Sequence, residues 1–225
     1  MSRFRHEYKY QLDPRQEAIL RIKMEAVLVR DPYARTDGTY LVRSAYFDDM
    51  DNTCLRENAD GTDLRSKFRM RYYNNNPGRI QLEKKSKCKG MCLKETCALT
   101  QEECGVFLRG GIPPPGEDET RRRLFAEVMM RGLRPVCIVT YERIPLVYPG
   151  GNVRITIDRN LSSSEDLECF LSGNYSTRPV FPVGQSLMEV KWDELLPRHI
   201  RDAMQMEELQ WTAFSKYYHC RMIHQ

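Results

Sequence analysis

Polar and apolar residues alternate with a period of two along much of this chain. Such alternation predicts strands with one apolar and one polar face. It predicts them over residues 5–11, 42–48, 64–74, 78–87, 91–99, 135–144, 152–159 and 186–192. Lys87-Cys88-Lys89-Gly90-Met91 reads as a tight hairpin between two of them. Helical signals lie between the strands. Asp13 caps a first helix, Pro14 suits its first position and Leu12 staples its entry. Ile19, Ile22, Ala26 and Val29 are its expected buried stripe, and Asp31-Pro32 ends it. Thr100-Gln101-Glu102-Glu103 is a capping box that opens a short helix. Residues 119–131 read as a helix that buries Leu124, Val128 and Met129. Pro113 to Gly116 is a surface loop, and residues 162–185 read as a loop with one short element. Two helices, 193–207 and 209–221, close the chain.

The polar faces of these strands are unusual. Arg5, Glu7 and Lys9 share one face, and Arg65, Lys67, Arg69 and Arg71 share another, opposite Phe68, Met70 and Tyr72. Gln81, Glu83, Lys85 and Lys87 oppose Ile80 and Leu82, and Lys94 opposes Leu93. Tyr141 and Arg143 share a face, as do Arg154, Thr156 and Asp158, and Glu189 and Lys191. A single wetted strand carries such a face routinely. Seven strands with the same habit point to a common interior. The predicted fold is α+β: a closed antiparallel β-barrel, or tunnel, with a charged lumen and an apolar exterior clad by helices. Closure would also remove exposed sheet edges.

Composition refines this picture. The chain has 225 residues with mean hydropathy −0.61, and it reads as one domain over residues 1–225. Net charge is only +4, so bulk charge does not argue for nucleic acid. Residues 65–94 nevertheless hold ten Lys and Arg against one carboxylate, Glu83. A nucleic-acid module would need exposed aromatics among these basic residues, and Tyr72 is expected to face the apolar cladding. The first residues lack the apolar core of a signal peptide, and no run reaches membrane-spanning length, so a cytoplasmic protein is expected. The eight cysteines are irregularly spaced and expected to be free thiols. Cys88, Cys92 and Cys97 lack the paired spacing of a zinc site, with no His nearby.

A lumen rich in Arg and Lys repels itself unless anions compensate it. Arg forks match phosphate oxygens and Lys adds point charge, so a linear phosphate polyanion is the expected ligand. Glu7, Glu83, Asp158 and Glu189 do not help to bind a bare polyanion. They either hold a divalent cation that bridges phosphates or pair with neighbouring cations. No P-loop is present: Arg109-Gly110-Gly111 and Pro149-Gly150-Gly151 lack the following Gly-Lys-Ser/Thr and read as turns. The four His assemble no phosphohistidine site, and His6 is expected to face away from the lumen.

With these residues laid out, the chain resembles the triphosphate tunnel metalloenzyme superfamily, and within it the VTC domain, the polyphosphate polymerase domain of the vacuolar transporter chaperone family. The matching pieces run in order: RHEYKY at 5–10, SAYFD at 44–48, KFRMRYY at 67–73, LEKK at 82–85, CLKE at 92–95, YERIPL at 141–146, VRITID at 153–158, MEVKW at 188–192 and FSKYYHC at 214–220. The resemblance implies that Lys9, Arg69, Arg71, Lys85, Lys94, Arg143, Arg154 and Lys191 line the tunnel and grip phosphates. It implies that Glu189 is the ligand of a Mn²⁺ or Mg²⁺ ion, with Glu7, Glu83 and Asp158 as further candidates. Ser215 and Lys216 would lie on a C-terminal helix that abuts the tunnel. The implied reaction is metal-dependent transfer of the ATP γ-phosphate to a growing polyphosphate chain, with Arg69, Arg71, Lys85 and Glu189 as its catalytic residues. The hydrolytic branch carries ExExK on its first strand, whereas Arg5 makes this strand RxExK. Hydrolysis of tripolyphosphate or a nucleoside triphosphate in the same tunnel, and a non-catalytic polyphosphate sensor, stay open. Neither the further domains nor the membrane segments of eukaryotic members are found in this sequence.

Overall fold

The structure is a computed structural model that describes residues 4–206 and 208–225. Its strands are β1 (His6–Leu12), β2 (Val29–Arg30), β3 (Tyr40–Asp48), β4 (Arg65–Tyr73), β5 (Asn76–Cys88), β6 (Met91–Leu99), β7 (Arg134–Tyr148), β8 (Val153–Ser164), β9 (Arg178–Pro179) and β10 (Ser186–Trp192). Its helices are α1 (Pro14–Glu25), α2 (Thr53–Ala59), α3 (Gln101–Leu108), α4 (Glu119–Met130), α5 (Arg198–Ala203) and α6 (Lys216–Met222). Eight strands form an antiparallel half-barrel in the order β1-β10-β8-β7-β3-β4-β5-β6, with β2 and β9 added to β7 and β8. Among the described residues no helix is long and apolar enough to cross a membrane.

The expected closed barrel is corrected: the sheet is open. Among the described residues β1 and β6 form no ladder, and Arg5, just before β1, makes an isolated bridge to Cys92. The edges that closure would satisfy are satisfied otherwise. Arg121 of α4 donates to the Ala98 carbonyl of β6 at 3.0 Å. On β1, Tyr10 bridges to Trp211, and the Thr212 N–H donates to the Lys9 carbonyl at 2.9 Å. Edge groups so covered need no strand partner.

Two apolar layers back the half-barrel. Leu20 and Met24 of α1 and Ile200 of α5 pack with Ile155, Ile157 and Val190. Phe107 of α3 and Leu124, Phe125 and Val128 of α4 pack with Phe68, Met70 and Leu82. The strand alternation predicted this. The helix faces needed correction. Ile22 and Val29 are exposed, because Leu20, Met24 and Leu28 form a competing stripe at the same spacing and that stripe packs. Met129 is also exposed, and Phe125, edge-on to Phe107 at 5.1 Å, fills the place expected for it.

Local signals explain most boundaries. Asp13 accepts from the Gln16 N–H at 2.8 Å, and the Gln16 side chain accepts in return from the Asp13 N–H at 3.0 Å. Thr100 and Glu103 exchange the same pair of bonds at the start of α3. Lys89 (φ 49°) and Gly90 (φ 77°) make a two-residue hairpin turn, whose left-handed backbone suits the strand twist. β8 runs to Ser164, beyond its predicted end, because its pairing with β7 shifts register between Thr140 and Glu142, and Asn160 (φ 52°) breaks the alternation there. The 162–185 segment holds a 3₁₀ turn at Leu167–Cys169 and the two-residue β9. The helix predicted over 193–207 shrinks to α5 because Pro197 disfavours helical backbone before it; residue 207 lies outside the described residues. The helix predicted over 209–221 begins only after Ser215, since residues 211 and 212 run along the edge of β1. Helix α2 was not predicted. It is built on Asp48, whose carboxylate accepts from the Cys54 N–H at 2.8 Å, the Leu55 N–H at 3.1 Å and the Tyr217 hydroxyl of α6.

A cation-lined cavity as candidate functional site

The strand faces that alternation marked as charged meet in one cavity of about 140 Å³. A single water needs roughly 10–15 Å³ on the same measure, so this is more than a one-ion crevice. Its lining includes ten Lys and Arg but only two carboxylates, Glu7 and Glu189. Of the predicted site residues, it gathers Lys9, Arg69, Arg71, Lys85, Arg143, Lys191, Ser215 and Lys216. Lys94 and Arg154 are not among them. The Lys94 side chain is 52% exposed and reaches Glu83 at 3.2 Å. Arg154 lines a second cavity with Tyr40, Tyr73 and Asp31.

Two sets of ion pairs order the interior. Glu83, almost fully buried, accepts from Arg69 at 2.6 Å and lies 3.6 Å from Arg71. Burial pushes its carboxyl up, but Arg69, Arg71 and Lys94 outweigh that and hold it well below the usual range. Arg69 also donates to the Tyr46 hydroxyl at 2.7 Å, and Arg71 to Ser44 at 3.0 Å and the Tyr141 hydroxyl at 3.2 Å. Asp158 takes the Arg143 fork at 2.6 and 2.8 Å and Lys216 at 2.6 Å. These two carboxylates, both candidate metal ligands by sequence, therefore have their oxygens committed to cations.

Glu7 and Glu189 lie closer to the open space. Glu189 meets Lys216 at 2.6 Å, Lys191 at 2.8 Å, Arg143 at 3.4 Å and Lys9 at 3.8 Å. Glu7 meets Lys85 at 2.7 Å, Lys191 at 3.5 Å and Lys9 at 3.6 Å. Burial raises both carboxyls, and the surrounding lysines more than reverse it. Among the described residues, no group of three or more His, Cys, Asp or Glu converges. Mg²⁺-like ions accept one or two carboxylates with phosphate and water for the rest. The oxygens of Glu189 and Glu7 are paired with cations as well, so the donors present form no all-protein cage; an ion would fit only if it arrived on a phosphate chain that drew the lysines off these two carboxylates.

Three lysines have distinct states. Lys85 is held protonated: burial alone would lower it, and Glu7 raises it above its ordinary value. Lys9 is lowered by burial despite Glu7 and Glu189, and it donates to the Phe214 carbonyl at 2.8 Å. Lys67 has no carboxylate within ion-pair distance among the described residues. It donates to Ser215 at 2.9 Å, and burial together with Lys9 and Lys85 drives it well below its ordinary value. Ser215 caps α6, accepting from the Tyr218 N–H at 3.3 Å, which seats Lys216 against Asp158 and Glu189.

The strand alternation put Lys67 and Tyr141 on the right face without giving either a role, and it left Tyr46 unmarked. The parity that marked Arg143 also marks Tyr141, two residues before it. Cys92 lines the cavity, and all eight cysteines are free thiols. His6 stacks on Trp192 at 5.1 Å, on the face away from the cavity, as expected.

Comparison with known proteins places this geometry. The VTC domain family profile matches residues 4–224. Among curated proteins none matches the chain. Solved structures share the fold at low identity. The Hippeastrum protein HpAC1, described as a candidate adenylyl cyclase that reveals a dominant triphosphatase activity, is 13% identical with a TM-score of 0.54, covering 99% of this chain and 96% of that one. A Bacillus halodurans protein described as a candidate adenylate cyclase is 15% identical with a TM-score of 0.50, covering 89% and 87%. The PH1819 protein of Pyrococcus horikoshii is 13% identical with a TM-score of 0.50, covering 98% and 99%. The chain shares the fold of these solved structures, and it belongs to the VTC domain family.

Proposed function

We propose that this protein is a polyphosphate polymerase that transfers the γ-phosphate of ATP to a growing polyphosphate chain. The observation that carries the proposal is the convergence of ten Lys and Arg on one cavity with only two carboxylates facing it, in a member of the VTC domain family. Transfer between phosphates needs positioning and charge neutralisation, and no side-chain nucleophile. Arg69, Arg71 and Lys85 clamp the triphosphate. Lys9, Lys67, Arg143 and Lys191 hold the acceptor chain, with Lys216 and Ser215 closing the cavity. Glu189 would hold a Mn²⁺ or Mg²⁺ ion brought in with the substrate, which would supply charge neutralisation at the reacting phosphates. A terminal oxygen of the acceptor attacks the γ-phosphorus, the bond to the β-phosphate oxygen breaks, and ADP leaves. Arg154 and Lys94, across the ladders from Lys191 and Lys85, flank the same track. The proposed compartment is the cytosol, where free thiols persist.

The test is a mass balance on ATP with Mn²⁺. Transfer releases ADP without an equal amount of orthophosphate. Orthophosphate equal to ADP would replace this reading with a triphosphatase.

A further inference from the structure

Thr156 is the middle residue of the charged-face triplet Arg154, Thr156, Asp158 on β8. It lies opposite Glu189 of β10 in the ladder. Its side chain is 1% exposed, yet its hydroxyl has no hydrogen-bond partner among the described residues. A buried hydroxyl without a partner costs stability, and it leaves this one available to an added acceptor.

The position suggests that acceptor. Arg154, on one side of Thr156, lines the second cavity, and Glu189, across from it, lines the first. Tyr73, on β4, lies near both cavities. It lines the second, and the Arg71 guanidinium of the first lies 5.9 Å from its ring centre. Burial pushes the Tyr73 phenol up, but Arg71 and Arg143 pull it below its ordinary value, so their field reaches this far. The hydroxyl of Thr156 is therefore an unspent donor that lines neither cavity itself and lies between residues that line one or the other.

We infer that Thr156 positions the phosphate chain, donating its hydroxyl to a phosphate oxygen between Glu189 and Arg154 and joining the two cavities into one binding track. The inference rests on the polyanion reading above. Arg154 and Lys191, the neighbouring cross-strand pair, have partly exposed side chains, and the inference requires them to move aside for the chain to reach the hydroxyl.

The test compares Thr156→Val with Thr156→Ser. Thermal unfolding is measured without ligand, and binding of tripolyphosphate and of long-chain polyphosphate is measured by calorimetry. Valine keeps the shape and removes the orphan hydroxyl. It should raise the unfolding midpoint while weakening long-chain polyphosphate about tenfold or more, in line with loss of a hydrogen bond to a charged acceptor. Serine should stay near wild type in binding. A purely structural residue would not move stability and affinity in opposite directions. Should Thr156→Val fail to fold, Thr156→Ala against Thr156→Ser gives the same comparison of affinities. Wild-type binding with an unchanged valine or alanine variant would show that water alone serves the hydroxyl, and would overturn the inference while leaving the polyanion reading intact. A wild-type protein that binds no phosphate chain would overturn both.

Discussion

Replacing Glu83 with Gln should weaken the empty protein and tighten its grip on phosphate. Glu83 is 1% exposed and faces three cations, Arg69 at 2.6 Å, Lys94 at 3.2 Å and Arg71 at 3.6 Å. Removing one partner of a buried pair leaves uncompensated charge and costs roughly 3–5 kcal/mol. Bound tripolyphosphate supplies the missing negative charge to the same guanidiniums. At a ligand concentration 100 times its Kd, binding stabilises the wild type by about 2.7 kcal/mol. Each tenfold gain in the variant's affinity adds about 1.4 kcal/mol at the same ligand concentration. Urea unfolding with and without tripolyphosphate measures both terms. The account expects a destabilised variant that the ligand rescues more than it helps wild type. A variant as stable as wild type without ligand, or one rescued no more than wild type, would refute it. The pH sense is fixed as well. The folded-state pKa of Glu83 lies below the ordinary value of 4.5, so its contribution is present above that value and lost as pH falls through the folded one. The gap between wild type and variant should therefore close in acid.

Three further outcomes follow from the same geometry. Arg69→Ala with Arg71→Ala should abolish measurable tripolyphosphate binding, at least a hundredfold loss on the scale of about 1.5–3 kcal/mol per charged hydrogen bond. Because it strands Glu83, the pair should also destabilise the fold, and adding Glu83→Gln should recover urea stability but not binding; recovered binding would remove these arginines from the site. Glu189→Gln should spare tripolyphosphate affinity in calorimetry and lower metal-dependent turnover, and an unaltered metal dependence would end its role as ligand. Lys67, depressed by burial and by Lys9 and Lys85, should take up a proton when a polyanion binds above neutral pH. Calorimetry in buffers of different ionisation enthalpy reads that uptake, and Lys67→Met should reduce it; equal uptake in both proteins would contradict the assignment.

The alternation of charge along the strands was the most legible signal. It fixed which residues face the cavity because a strand offers only two faces, and it placed Lys67, Arg69, Arg71, Lys85 and Arg143 correctly without any knowledge of pairing. It did not fix closure, because the Arg121 contact to Ala98 and the passage of Trp211 and Thr212 along β1 are long-range events with no local pattern. Nor did alternation reveal where each side chain turns. Arg154 and Lys94 share the face of the others and lie directly across from Lys191 and Lys85, yet Arg154 turns to Asp31 and Lys94 to Glu83 and solvent, which side-chain partners decide and alternation does not. The stripe on α1 was misread because two apolar series, one through Ile22 and one through Leu20 and Met24, fit the same period. Helix α2 was missed since its cap, Asp48, lies on the preceding strand, well before the helix it holds.

The central claim is phosphoryl transfer to a growing chain, and one measurement addresses it directly. The purified protein is incubated with ATP and Mn²⁺, and the products are resolved by length on a gel. The account predicts a ladder of long phosphate chains that grows as ADP accumulates. Orthophosphate with no ladder would contradict it and identify a hydrolase in the same cavity, and absence of turnover with tight tripolyphosphate binding would contradict it in favour of a polyphosphate sensor.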